Sequence, residues 1–211
     1  RRLLVPVVAV IALLSGVKAS ASWDMLLGYL NATPFGVADP LFGRDLSFFV
    51  FELPLWRFVY SGALTLVVGT LILSVATYVL LRSLVLTAQG PRMAAGARSH
   101  LLGLAAGALV LRAFGFWLDR YEVMYSPRGV VFGASYTDVH ATLPALGVLT
   151  AISVLCAAAC VIQIGRGGWG FLVAGLVVLA VVWVGGLGVY PALLQRFQVT
   201  PNELEAERPY I

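Results

Sequence analysis

Five runs of apolar residues, separated by short polar or aromatic segments, lie at 3–17, 58–81, 101–118, 141–164 and 169–189. A helix crossing a hydrocarbon core about 30 Å thick needs about 20 such residues, so the first run is short and the other four qualify or nearly do. None of the runs alternates as a barrel strand would, and unpaired backbone groups cannot face lipid. The expected fold is therefore all-α, a polytopic transmembrane helical bundle of about five spans.

The segment between the first two runs, 19–57, is more than a linker. Within 20–31, Trp23, Leu26, Leu27 and Leu30 fall at i, i+3, i+4 and i+7, with Asp24, Gly28 and Asn31 off that stripe. This predicts an amphipathic helix, either lying in the membrane interface or packed on the ends of the spans. PFGVADPLFGRDLSFFVFELPLWRF follows, dense in Phe, Pro and Gly. It predicts turns and one short helix or strand at the membrane surface, with an aromatic belt. Trp117, Tyr121 and Tyr125 extend that belt at the end of the third run. Gly103 and Gly107, Thr65 and Gly69, and Ser153 and Ala157 are small pairs four apart, which let helices approach closely in lipid.

Composition excludes a soluble domain. The 211 residues are 60% hydrophobic and 11% charged, against about 25% charged in soluble proteins. The net charge of +4 sits on arginines dispersed over short loops, so a nucleic-acid partner is excluded. The chain opens on Arg1-Arg2 without a Met and is expected to be a piece of something longer; no secretory signal peptide is visible.

Charge placement orients the spans. With Arg1 inside, the inner segments carry Arg1, Arg2, Arg82, Arg92, Arg98 and Arg166 and no acid, while all ten acidic residues fall outside. The denser basic charge belongs in the cytoplasm. The expectation is a multi-pass protein of the cell membrane with residue 1 cytoplasmic and residue 211 extracytoplasmic. It divides into a membrane domain, 1–190, and an outer tail, 191–211, leading into a further outer domain.

Three segments carry a family resemblance: FGVADPLFGRDLSFFVFELPLWR (35–57), FWLDRYEVMYSPRGVVFGASYTDVHATLPAL (116–146) and YPALLQRFQVTPNELEAERPYI (190–211). In order and spacing they resemble the uncharacterised protein family UPF0182 of large multi-pass bacterial membrane proteins. The resemblance implies about seven spans followed by a large extracytoplasmic region, of which this chain holds the later spans. It implies no established activity.

Five polar residues are candidates for chemistry or for structural roles: Arg112, Asp138, His140, Asp45 and Asp119. Arg112 is the one charge inside a run. It is either paired or snorkelling toward the outer boundary, or it lines a substrate or ion path, with Asp138 or Asp45 as the expected partner. Asp138 and His140 flank the start of the fourth run. Thr137, Asp138 and Thr142 are N-cap types and Pro144 suits a first turn, which places the helix start near Thr142 and leaves both residues in a loop. There Asp138 either orders the loop through backbone amides or an arginine such as Arg120, or belongs to a relay or ligand site. Asp119, Arg120 and Glu122 suit ion pairs at a helix end, Asp45 suits a cap, and ELEAERPY reads as a solvated acidic linker.

Cys156 and Cys160 share a helical face, but no His or carboxylate lies within their run, so they are expected to pack rather than bind metal. No nucleophile triad, phosphate loop or dinucleotide motif is present. No catalytic residue, metal or cofactor is expected. The expected partners are the lipid bilayer and other membrane subunits. The favoured function is a membrane anchor or scaffold for an outer domain. The alternative is a transporter or lipid-handling protein using Arg112 and the outer acids, and an outer-leaflet enzyme acting through Asp138 and His140 comes last.

Overall fold

The computed structural model describes residues 4–20, 22–87, 90–129, 131–166 and 168–210. Arg1, Arg2, Leu3 and Ile211, used above to mark the ends, lie outside the described residues, as do Ala21, Ala88, Gln89, Val130 and Gly167. The chain forms a helical bundle divided into two units, 1–62 and 63–211.

The first unit holds α1 (Leu4–Ser20), α2 (Trp23–Leu30) and the opening turns of α3 (Leu53–Leu80). At 17 residues, α1 is about 26 Å long, short of the ~30 Å core. The described residues accordingly hold four stretches long and apolar enough to cross a membrane, where about five were expected: Phe48–Leu80, Ala95–Tyr125, Asp138–Arg166 and Gly170–Tyr210. α2 is shorter than the expected 20–31, and its apolar stripe stays exposed, with Trp23 58% and Leu30 66% accessible.

Between α2 and α3 the DPLFGRD stretch folds on its two aspartates. Asp39 Oδ2 accepts from the amides of Leu41 (3.1 Å) and Phe42 (2.5 Å), closing a turn around Pro40. Gly43 supplies the left-handed residue (φ +63°) that lets its amide return to the Asp39 carbonyl at 2.9 Å; a side chain there would be strained. Helical winding resumes at Leu46 and runs on into α3, within the 19–57 segment where turns and one short helix or strand were expected.

In the second unit the remainder of α3 leads to a hairpin of β1 (Leu84–Thr87) and β2 (Gly90–Met93), antiparallel with Leu84 opposite Met93. This segment was expected to be a plain loop. α4 (Ala95–Glu122) and α5 (Leu143–Arg166) follow as an antiparallel pair, and α6 (Gly170–Trp183) packs on α5. Among the described residues, buried clusters join them at two levels. Ala106 and Leu109 of α4 meet Cys156, Ala157 and Cys160 of α5; Phe116 and Val123 meet Leu146 and Leu149 nearer the other end. The cysteines are packing residues here. Gly175 of α6 approaches so closely that a Cβ on it would lie 2.6 Å from Cys156 Sγ.

Among the described residues four turns are wound one residue wide, with amides bonding five residues back: Phe48–Glu52, Asp138–Thr142, Val184–Val189 and Gln195–Val199. Each ends two residues before a proline, Pro54, Pro144, Pro191 and Pro201. A proline has no amide to donate, and its ring collides with the carbonyl four residues back. One extra residue in the turn moves that carbonyl aside, and the helix continues. The last two wide turns flank α7 (Tyr190–Leu194), and α8 (Glu203–Glu207) completes the tail.

Candidate functional site

The polar residues of the second unit gather where α4 ends, α5 begins and the tail folds back. Ser135 opens the α5 helix with a reciprocal cap. Its hydroxyl accepts from the Asp138 amide (3.2 Å) and donates to Asp138 Oδ2 (2.8 Å), and the same oxygen accepts the Ser135 amide at 3.4 Å. This is a capping box with aspartate in the position glutamate usually takes. The N-cap is thus Ser135 and not Thr142, and Asp138 and His140 stand in the first helical turns rather than in a loop.

The second oxygen of Asp138 is also occupied. Oδ1 receives Arg128 Nη1 at 3.1 Å and the Thr142 hydroxyl at 3.2 Å, and the side chain is 3% exposed. Arg128, on the α4–α5 connection, is therefore the arginine that holds Asp138, where Arg112 and Arg120 were the expectations. Both oxygens of this carboxylate are thus engaged by charge-assisted bonds.

The tail is fastened to the same turn. Thr137 Oγ1 donates to Gln195 Oε1 at 2.5 Å, Gln198 Nε2 donates to the Tyr136 hydroxyl at 3.1 Å, and the Tyr136 amide donates to Glu207 Oε2 at 3.2 Å. The Tyr136 and His140 rings stack at 4.1 Å, and Tyr210 sets its ring edgewise against both. Gly129 completes the fit, because a Cβ there would meet Ser135 Cβ at 3.3 Å and Glu207 Oε2 at 3.4 Å. The ELEAERPY segment was expected to be solvated throughout, yet Glu207 is 2% exposed, and its Oε1 has no hydrogen-bond partner among the described residues. A cleft of about 250 Å³ remains between Arg128, Thr137, Gly188, Pro191, Ala192 and Gln195.

The other sequence candidates lie apart from this cluster or at its margin. His140 is exposed, with Nδ1 3.0 Å from the Tyr136 carbonyl. Asp119 is half-buried in the last turns of α4. Arg112 is half-buried in mid-α4, its guanidinium 4.1 Å from the centre of the Phe116 ring one turn on. Asp45 belongs to the first unit. Its carboxylate accepts from the amides of Phe35 (3.0 Å), Gly36 (2.8 Å) and Ser47 (2.8 Å). Bonds from the Ser47 hydroxyl and these amides hold its pKa down at about 2. Among the described residues no three His, Cys, Asp or Glu side chains are gathered as a metal ion would require.

Sequence reasoning missed Ser135, Arg128, Gln195 and Glu207. The signal for Ser135 was present as S-x-x-D. The partners on the tail are 58 to 71 residues from the turn they hold, a distance no local pattern reports. Gln163 was also missed. It is 2% exposed in α5, and its Oε1 accepts the Leu172 amide at 3.2 Å, satisfying a donor at the start of α6.

Comparison with known proteins bears on the whole chain. Relatives carrying the name UPF0182 protein include one from Frankia alni, 42% identical over 99% of this chain, and one from Thermobifida fusca, 41% identical over 95%. A third, from a Synechococcus strain, is 43% identical over 91%. The chain spans only a fifth to a quarter of these relatives' own length, 20% of the first two and 25% of the third. No solved structure matches. The model of the Uncharacterised protein family (UPF0182) matches residues 1–211, and the chain belongs to that family.

Proposed function

We propose that this chain is a non-catalytic membrane anchor, holding an extracytoplasmic region of a longer protein at a fixed position over the bundle and packing against partner subunits. The observation that carries this reading is the fastening of the tail. After the last apolar helix the chain turns back and binds the 135–142 turn through three hydrogen bonds and a three-ring cluster. A free linker needs none of these contacts. The engagement of both Asp138 oxygens within the turn supports a structural role for this end.

The arrangement of charge supports an outward orientation for the tail. Arg82, Arg92, Arg98 and Arg166 lie at the end of the second unit where α3 and α5 finish and α4 starts, and Asp119, Glu122 and Asp138 lie at the other. Basic ends favour the cytoplasm.

The test uses full-length protein reconstituted in liposomes. Tyr136→Ala removes the aromatic contacts and the Gln198 bond, worth about 0.5–1.5 kcal/mol for the rings alone. It is expected to raise protease cleavage within 195–207 by up to about tenfold at unchanged helix content. Solute flux through the wild type that disappears in Arg112→Gln overturns the anchoring reading in favour of transport. A catalytic activity lost in His140→Ala, with the fold intact, overturns it in favour of an enzyme.

A further inference from the structure

The contacts that hold Asp138 use only part of Arg128. Its Nη1 donates to Asp138 Oδ1 at 3.1 Å and to the Thr142 hydroxyl at 3.2 Å. Nε and Nη2 have no partner among the described residues, and the side chain is 45% exposed. These two nitrogens form an edge of the guanidinium that grips an oxyanion through parallel bonds.

Gln195 lines the same cleft. Its Oε1 accepts from the Thr137 hydroxyl at 2.5 Å, which fixes the carboxamide, and its Nε2 has no partner among the described residues. Thr137, Gly188, Pro191 and Ala192 complete the wall, and no acidic residue is part of it. Asp138 steadies the guanidinium from a side chain 3% exposed, its oxygens engaged by Arg128, Thr142 and Ser135. The cleft thus carries unused N–H donors from two side chains, the complement of an anion rather than of a cation or an apolar group.

Position decides which anion. α6 and the wide turn that continues it, 14 and 6 residues long, rise about 30 Å, the thickness of one hydrocarbon core. Trp169 precedes them and Tyr190 follows, and aromatics of this kind mark the two boundaries of a span. Pro191, Ala192 and Gln195 come just after Tyr190 and so lie at headgroup depth. The guanidinium edge serves carboxylate and phosphate alike, and the headgroup layer supplies phosphate.

We infer that the cleft between Arg128 and Gln195 binds a phosphate group, held by Arg128 Nε and Nη2 and by Gln195 Nε2. This goes beyond the anchoring function. It needs the Thr137–Gln195 contact but neither an outward tail nor a fixed outer region, so protease cleavage of the tail reads the one and ligand retention the other.

The test uses full-length protein in mild detergent, stripped of lipid and given equal amounts of phosphatidylcholine and galactosyl diacylglycerol with the same acyl chains. Both lipids are uncharged overall, and only the first carries phosphate. Native mass spectrometry is expected to show phosphatidylcholine retained in preference by roughly tenfold to a hundredfold, the range for one hydrogen bond to a charged group. Gln195→Glu keeps the acceptor for Thr137 but replaces the free amine by a charged oxygen, and is expected to abolish the preference. Arg128→Lys keeps a cation beside Asp138 but removes the two-pronged edge, and is expected to lower the preference roughly tenfold. Arg196→Gln removes a neighbouring exposed charge outside the cleft and is expected to keep it within about twofold of wild type. Calorimetry with inorganic phosphate separates the sources. Binding of inorganic phosphate that is lost in Gln195→Glu marks a site open to free phosphate, and lipid preference without such binding marks the headgroup; either result supports the inference. Far-UV circular dichroism and gel filtration identify which variants fold, and Arg128→Lys with the wild-type comparison decides if Gln195→Glu misfolds. Equal retention of the two lipids with no binding of inorganic phosphate overturns the inference, as does acetate binding as tightly as phosphate. So does a preference that survives in folded Gln195→Glu, or one lost as fully in Arg196→Gln.

Discussion

At the scale of single residues, the second unit depends on side chains that satisfy the ends of its helices. Ser135→Ala removes both hydroxyl bonds of the cap at the head of α5 but keeps the Ser135 amide bond to Asp138, and is expected to lower stability by about 1 kcal/mol, read as a shift in the denaturant midpoint in detergent. Asp138→Ala removes the cap partner and the ion pair with Arg128 together, and its loss is expected to be larger, about 2 kcal/mol. Arg82 is the opposite case. It ends α3 at φ +54°, with the Ser83 amide returning to the Tyr78 carbonyl at 2.9 Å, a helix stop that glycine usually provides. Arg82→Gly is expected to raise stability by up to about 1 kcal/mol by removing left-handed strain. Asp45 adds a pH dependence in the first unit. Its pKa falls from 3.8 to about 2 on folding, so its contribution is complete above 3.8 and is lost as pH drops toward 2. The backbone amide resonances of Phe35 and Gly36 are expected to move across that window and to stay still in Asp45→Asn. The letters of the cap were present in the sequence, but Thr137, Asp138 and Thr142 offered competing starts, and only the wound turn shows which one the backbone used.

Among the elements, the long helices were legible because lipid enforces length and apolarity, and no other residue pattern satisfies both. Their beginnings were not. A reading that treats proline as a first-turn residue starts α5 near Thr142, whereas the structure carries helix upstream through the wide turn at 138–142. The same offset of two residues to a following proline recurs at Pro54, Pro191 and Pro201. Pro144→Ala restores the missing amide and removes the ring, so the turn is expected to close to ordinary α winding. That change rotates the segment upstream of the turn by about 100° relative to α5, carrying Tyr136 and Thr137 away from Glu207 and Gln195 of the tail. Protease cleavage within 195–207 is therefore expected to rise in Pro144→Ala at unchanged helix content. Helix contact is tested at Gly175, where a Cβ would stand 2.6 Å from Cys156 Sγ. Gly175→Ala forces the thiol to rotate or the helices to part, at a cost of about 1–3 kcal/mol. Adding Cys156→Ala vacates that space and is expected to restore most of the loss.

For the whole molecule, membrane residence follows from composition alone, while the docking of the tail rests on contacts between residues far apart in the chain. The orientation of the second unit belongs to this scale, because no single arginine determines it. Arg82, Arg92, Arg98 and Arg166 act together at one end, each flanking a span closely enough to count in the charge bias. The proposed arrangement keeps them cytoplasmic and exports the tail. A periplasm-active reporter fused after the tail is therefore expected to be active in the parent protein. Replacing Arg82 and Arg166 singly by Ala is expected to change its activity little, since the remaining arginines still bias insertion. Replacing all four by Glu removes that bias, and the reporter is expected to lose activity in a substantial fraction of chains, with a cytosol-active reporter at the same site gaining it. Arg128 and Arg208 lie at the opposite end and serve as the control, because changing both to Gln removes positive charge without weakening the cytoplasmic bias. A cytosol-active reporter in the parent protein would invert the arrangement, placing the fastened tail inside the cell, and the anchoring function would then have to be sought on the cytoplasmic face.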